Sequence, residues 1–469
     1  MNPIVEENTL PGTSDWRLDR PAVGREIEGY ASATSVQRGQ PIALYVNTAE
    51  PNYVLEVFRI GWYQGLGARR LFGPVALRGV PQPMPAMDAD TGLVDCAWTR
   101  PFVLGTGADW TSGIHLARLT AAESGAQSYI LFVVRDDERA ADLMVQLPVT
   151  TYQAYNAWGG KSLYHWGSSE RQRAAKVSFH RPYAANAQNP AAAFGMGAGE
   201  FLTNLQPHGA HYPVSNAGWD VNMVRWLERE GFDVAYGTNL DTHDRAPSRK
   251  QCKAFLSIGH DEYWTREMRD HVEAARDAGV HLAFFGANCA YWQVRMEGRV
   301  MVCHKKAKAD PLFASDAAST TDKWRSTAVN RPEEALIGVM YDGDPVDGDI
   351  VVAAAEHWAF AGTGLAAGDA LPGLLGYEVD CVQGCGPVDV QILAASPWAA
   401  QGDSGKQGTS HMSLYRAASA ATVFATGSMQ WAWGLDDFNA PTLRSSRLNE
   451  AAQRITRNVL HHMTKPSTH

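Results

Sequence analysis

Short runs in which apolar and polar residues alternate fill the first third of the chain, at residues 42–46, 53–60, 113–119 and 128–134. A period of two puts alternate side chains on opposite faces of a strand. Gly, Pro, Asn and Asp punctuate these runs at short intervals, as in an antiparallel sandwich. The pattern therefore predicts a β-sandwich over residues 26–147. The first 25 residues are polar, Pro-bearing and aperiodic, and predict an extended arm.

The pattern then changes. Residues 143–151 read as a strand, followed by an aromatic, glycine-containing run at 152–160 and a loop rich in Ala, Asn, Pro and Gly at 181–199. Val221, Val224 and Leu227 lie at near-helical spacing, with Gly231 as a C-terminal stop. Strands are expected at 232–236, 254–258 and 280–285. Between the last two, Met268, Val272 and Ala275 mark one face of a helix running from Thr265 to Gly279. Strand, helix, strand at this length predicts a parallel sheet with crossover helices. After residue 310 come shorter strands, including 413–415 and 421–426, and a final amphipathic helix at 448–463. The expected fold is α+β multidomain, with a second, α/β domain over 148–469. In such sheets, ligands bind beyond the carboxyl ends of the strands. Residues 259–264 and 286–292 are expected there.

Composition narrows the function classes. Of 469 residues, 45% are hydrophobic and 19% charged, which supports a large buried core and excludes wholesale disorder. A formal net charge of −9 with no basic block argues against nucleic acid as partner. No stretch approaches 18 uninterrupted apolar residues, so no membrane span is expected. No secretory pattern opens the chain. Six cysteines are too sparse for a disulfide scaffold. A cytoplasmic bacterial-type enzyme is the expected class.

The densest chemistry is His260, Asp261, Glu262 and Tyr263, directly after an apolar strand. One histidine and two carboxylates in that place are costly unless solvated, paired or metal-bound; a helix-capping loop is the plain alternative. Asn288 and Cys289 follow the neighbouring strand. Asn288 could donate to a substrate oxygen. Cys289 could be a nucleophile served by His260 and Glu262, although the chain lacks a glycine-flanked nucleophile elbow and a buried small hydrophobe is the favoured reading. Cys381 and Cys385 have no second pair to complete a zinc site. The glycines at 195–199 lack the spacing of a phosphate loop. His304, His357 and His411 are single and expected to be structural, and His461–His462 a helix face. Tyr155 and Tyr183 read either as pocket walls or as phenolate ligands suited, with a carboxylate, to a hard trivalent ion.

Tyr152-Gln-Ala-Tyr-Asn-Ala-Trp-Gly-Gly-Lys-Ser-Leu-Tyr164, Arg-Pro-Tyr183, Ser257-Ile-Gly-His-Asp-Glu-Tyr-Trp264 and Phe285-Gly-Ala-Asn288, in that order, resemble the large (β) subunit of N,N-dimethylformamidase. The resemblance extends to residues 361–365 and 430–434 and covers most of the chain from about residue 25. It implies a glutaminase-like (class I amidotransferase-like) second domain and a mononuclear Fe(III) held by Tyr155, Tyr183 and Glu262, with Tyr152 as a rival for Tyr155. It implies pocket roles for His260 and Asn288, and hydrolysis of an amide C–N bond, such as that of an N-substituted formamide, through a metal-activated water. The expected partners are a small-molecule amide substrate and a second copy of the chain in a homo-oligomer. The chain is shorter than that subunit. Another metal-dependent reaction on a carbonyl substrate, such as cyclisation, or an inactive binding or assembly module, are the alternatives.

Overall fold

The computed structural model describes residues 2–186, 189–207, 216–402 and 404–465. The chain forms a mixed α/β structure with several sheets. The expected strands of the first third all form, and they pair as a sandwich. One sheet has three strands, Ile27–Ala31, Pro41–Thr48 and Phe102–Gly105. The other has five, in the spatial order Ser35–Gln37, Gln127–Arg135, Gly113–Ala121, Asn52–Ile60 and Ala68–Arg78. Ile27, Leu44 and Val46 from the first sheet pack on Leu55, Val57, Leu119, Ile130 and Phe132 from the second.

The alternate residues of the five-stranded sheet do not face water. Phe58, Ile60, Leu116, Leu131 and Val133 join the main core with Leu143, Val145 and Tyr236 of a separate seven-stranded sheet. This explains why Gln127–Arg135 is buried along almost its whole length: it lies between two cores.

A buried ion pair ties the two parts together. Arg59 donates to Glu228 at 2.7 and 3.0 Å, and both side chains are fully buried. Tyr236 donates to the same carboxylate at 3.1 Å.

The first 25 residues are not simply extended. Pro3–Thr9 is a helix, with the Asn2 side chain accepting from the Ile4 amide. Glu7 of this helix accepts from Arg69 at 2.6 and 3.0 Å and from Tyr63 at 2.6 Å. Two turns are too short to show a period; the usable signal was Asn followed by Pro at the helix start.

The sheet beyond the sandwich has seven strands. Val234–Thr238, Ala141–Leu147, Cys252–Gly259, His281–Gly286 and Thr422–Ala425 are parallel, and Gln407–Arg416 and Gln391–Ala399 continue it antiparallel. Ala141–Leu147 thus belongs to this sheet, although a boundary after residue 147 would group it with the sandwich. Alternation along the strands feeds two cores. Phe255, Leu282 and Phe284 pack on the helix Arg266–Asp277 through Met268 and Val272. Leu256, Ile258, Ala283 and Phe285 face the side of the helices Asp220–Arg229 and Glu450–Thr464. Helices on opposite faces are what a parallel sheet with two apolar faces requires. The aromatic run after Ala141–Leu147 is a helix, Val149–Tyr155. Among the described residues, no helix is long and apolar enough to cross a membrane.

Candidate active site

The strand Cys252–Gly259 ends at Gly259, where φ is +61° and a Cβ would run into the Asp220 carboxylate. Only glycine fits that turn. It swings His260, Asp261 and Glu262 over the carboxyl end of the sheet.

Asp261 anchors the loop. Its carboxylate accepts from Gln146 at 2.7 Å, Ser257 at 2.8 Å and Asn239 at 2.9 Å. Three donors offset the cost of burying it. The Glu262 amide donates to Thr151 Oγ1 at 3.0 Å, and the Glu262 carbonyl accepts from the amides of Tyr291 and Trp292. The segments at 259–264 and 286–292 are therefore bound to one another, at the end of the sheet where the sequence predicts the site.

Glu262 is the centre of the cluster. Tyr155 at the end of its helix donates to Oε2 at 3.0 Å. The Tyr164 hydroxyl lies 3.0 Å from Oε2 and 3.2 Å from Oε1. Trp292 Nε1 donates to Oε1 at 2.8 Å. The Tyr155 and Tyr164 hydroxyls are 2.7 Å apart. Behind Tyr164, Lys305 donates to the Tyr263 hydroxyl at 2.6 Å, and Tyr263 to Tyr164 at 2.6 Å. The Lys305 ammonium sits 3.4 Å from the Tyr164 ring centroid, a cation–π contact.

His260 lies beside this group. Gln206 Nε2 is 3.1 Å from His260 Nδ1. Nε2 is 3.4 Å from Glu262 and 3.0 Å from Glu378 Oε2. Neither His260 Nε2 nor Glu378 Oε2 meets a partner along a hydrogen-bond direction.

Burial governs the electrostatics. It raises the Glu262 carboxyl above its ordinary range, against the charge of His260 and reinforced by Glu378. Burial, then the charge of Asp344, raises Glu378 further. Tyr155 and Tyr164 are pushed up by burial and then by the Glu262 charge. Burial lowers Lys305 to about 8, although Glu262 opposes it. Carboxylates, phenols and an imidazole forced this close share few counter-charges. This is the arrangement that functional sites exploit.

The cluster opens on a cavity of about 220 Å³ lined by Tyr155, Tyr164, Glu262, Asn288, Trp292 and Glu378, among others. A larger cleft of about 330 Å³ between the two parts of the molecule is lined by His180, Arg181 and Tyr183.

Tyr155, His260, Glu262 and Asn288 are thus brought together. Tyr183 is not: its ring packs edge-on to Tyr152, 6.3 Å between centroids, and its hydroxyl bonds Gln153. The place beside Glu262 that the resemblance gives to Tyr183 is filled by Tyr164. The Tyr152 hydroxyl is committed to Asp220, so Tyr155 rather than Tyr152 reaches Glu262. Cys289 is buried, with its thiol 3.9 Å from Ser257 Oγ, and burial raises it well above an ordinary thiol. That is the small-hydrophobe reading. All six cysteines are free, and Cys385 faces Glu334 at 2.9 Å. His411 and His357 accept backbone amides.

Sequence reasoning passed over Tyr164, Lys305 and Glu378. Tyr164 ends the aromatic motif and could have been weighed with Tyr152 and Tyr155. Glu378 sits in the long strand Ala370–Cys381, far along the chain, with no local signal. Among the described residues, no group of three or more His, Cys, Asp and Glu side chains is placed to hold a metal; the donors that converge on Glu262 are phenols.

A search of curated proteins found no match. A family model described as N,N-dimethylformamidase beta subunit-like, C-terminal, matches residues 54–445, which takes in the five-stranded sheet from its Asn52–Ile60 strand onward and the whole of the cluster around Glu262. The chain belongs to the N,N-dimethylformamidase beta subunit-like, C-terminal family.

Proposed function

We propose that the chain is an iron-dependent amidohydrolase that cleaves an amide C–N bond, with an N-substituted formamide as the model substrate. The observation that carries this is the convergence of the Tyr155 and Tyr164 hydroxyls on the Glu262 carboxylate, with His260 and Glu378 alongside. Three oxygens within 3.0 Å of one another, each anionic once deprotonated, fit a hard trivalent cation better than zinc. Tyr155, Tyr164 and Glu262 would hold the metal at the edge of the cavity they line. Bound iron(III) supplies Lewis acidity toward the amide carbonyl.

The remaining steps belong to the chain. Trp292 Nε1 fixes the Glu262 carboxylate through Oε1. Lys305, through Tyr263, holds the Tyr164 oxygen and favours its anionic form. Glu378 takes a proton from the attacking water, and His260 Nε2 steadies its carboxylate. The water oxygen bonds to the carbonyl carbon, the C–N bond breaks, and the same proton passes to the departing nitrogen. The products are a carboxylic acid and an amine. Asn288, in the cavity wall, orients the substrate amide.

We read the parallel sheet as glutaminase-like and the working form as a cytoplasmic homo-oligomer. The description "beta subunit-like" supports an assembly.

The test is amine release from a panel of formamides and acetamides, before and after chelation and iron re-addition. Turnover that disappears with chelation and returns with iron supports the proposal. His260→Ala should keep its metal and lose turnover. Full activity in a metal-loaded His260→Ala protein contradicts the role given to His260.

A further inference from the structure

The same cavity has a second wall, and its chemistry is one-sided. Three carboxylates line the cavity, Glu262, Glu378 and Asp344, and among the described lining residues there is no Lys or Arg. Glu262 is committed to the phenols. Asn288 Oδ1, on a residue 3% exposed, has no hydrogen-bond partner, and Glu378 Oε2, on a residue 6% exposed, faces the His260 ring nitrogen at 3.0 Å but off a hydrogen-bond direction. Buried acceptors without donors are costly, so the wall calls for a ligand that brings N–H groups.

Asp344 lies at this wall, held by the Tyr341 hydroxyl. Around it stand the rings of Tyr291, Tyr341 and Tyr377. A carboxylate beside aromatic rings suits an ammonium, which ring quadrupoles attract. Cations around this wall already have contacts of their own. Lys305 lies on the Tyr164 ring and bonds Tyr263. Lys323 and Arg325 lie 5.1 and 5.4 Å from the Tyr291 ring centroid, and Arg325 pairs with Glu333 at 3.1 Å. His260 is bound through Nδ1 by Gln206.

We propose that the site takes amides whose far end carries a cationic amine, with the ammonium at the Asp344 wall while the amide lies at Tyr155, Tyr164 and Glu262. This rests on the amidohydrolase reading for the chemistry but not for the binding preference, and the two are separable.

The experiment compares three formamides of similar size on the full chain: N-(2-aminoethyl)formamide, protonated at neutral pH, N-propylformamide, neutral, and N-formylglycine, anionic. The expected order of kcat/KM is cationic above neutral above anionic, with about tenfold between the first two that shrinks in 0.5 M salt as screening predicts. Asp344→Asn should remove most of that ratio, and Asp344→Glu should restore part of it. Equal handling of the cationic and neutral amides, or preference for the anion, overturns the proposal. Binding of propylammonium, followed by tryptophan fluorescence, provides a readout that needs no turnover. Salt-sensitive binding lost in Asp344→Asn, with no amide hydrolysed, keeps the cation subsite and removes the hydrolase. Hydrolysis with no propylammonium binding and no charge preference does the reverse. The salt dependence of the wild type decides the matter even where Asp344→Asn fails to fold.

Discussion

The Tyr155 and Tyr164 hydroxyls lie 2.7 Å apart, and each is 3.0 Å from the same Glu262 oxygen. Nine residues separate them, and they come from different pieces of backbone: the end of the helix Val149–Tyr155 and the loop after it. The Leu163 amide donates to the Ala154 carbonyl at 2.9 Å, which clips the loop back onto the helix end and sets the two phenols side by side. Their rings pack at 4.3 Å between centroids.

Tyr164→Phe and Tyr183→Phe therefore should behave differently. Each keeps its ring and loses one oxygen. Tyr164→Phe should lose most bound iron and turnover, while Tyr183→Phe, whose hydroxyl bonds Gln153, should keep metal content near wild type. Metal analysis of the two purified variants checks this. The opposite outcome would return the ligand role to Tyr183.

Cys289 should be dispensable. Its thiol is buried beside Ser257 and Ala287, and burial raises it well above an ordinary thiol. Cys289→Ala should keep kcat/KM within roughly tenfold, about 1.4 kcal/mol in barrier. A loss of several orders of magnitude with metal intact would make it a nucleophile.

Much of this was legible in the sequence. The strands at 42–46, 53–60, 113–119 and 128–134 follow from period-two runs, and Thr265 and Gly279 bracket the helix Arg266–Asp277 as expected. The loop carrying Glu262 was found because charge after an apolar strand is expensive. What stayed hidden depends on long-range packing. Residues 152–155 form a helix although the Tyr, Gln and nearby glycines give no clear period, because tertiary burial decides their state. Glu378 is brought to His260 across more than a hundred residues by the pairing of Met340–Val351 with Ala370–Cys381. The double burial of Gln127–Arg135 could not be told from a single-faced strand.

Arg59→Ala should be among the most destabilising single changes. It leaves Glu228 buried without its counter-charge between the sandwich and the seven-stranded sheet, a cost of about 3–5 kcal/mol. Chemical denaturation followed by tryptophan fluorescence measures it. A change below about 1 kcal/mol would show that the pair does not tie the two parts together.

Glu7 should give the protein part of its acid sensitivity. Burial alone would raise this carboxyl, but the Arg69 hydrogen bond, the Arg59 charge and the Tyr63 hydrogen bond hold it down to about 2. A folded value below the unfolded one stabilises the protein above about pH 4.5, and that stability is lost as pH falls toward 2. Glu7→Gln should cost roughly 1–3 kcal/mol at pH 7. The gap from wild type should narrow steadily below pH 4.5. Denaturant curves at pH 7 and pH 3 test this; a gap that does not change with pH contradicts it.

The most direct test of the account is the metal content and visible spectrum of freshly purified protein, measured on the wild type and on Glu262→Ala. Phenolate bound to iron(III) absorbs in the visible. The wild type should therefore hold stoichiometric iron and be coloured, and Glu262→Ala should be pale and iron-poor. Stoichiometric zinc in the wild type, or a Glu262→Ala protein that holds iron and colour as the wild type does, would contradict the centre built from Tyr155, Tyr164 and Glu262.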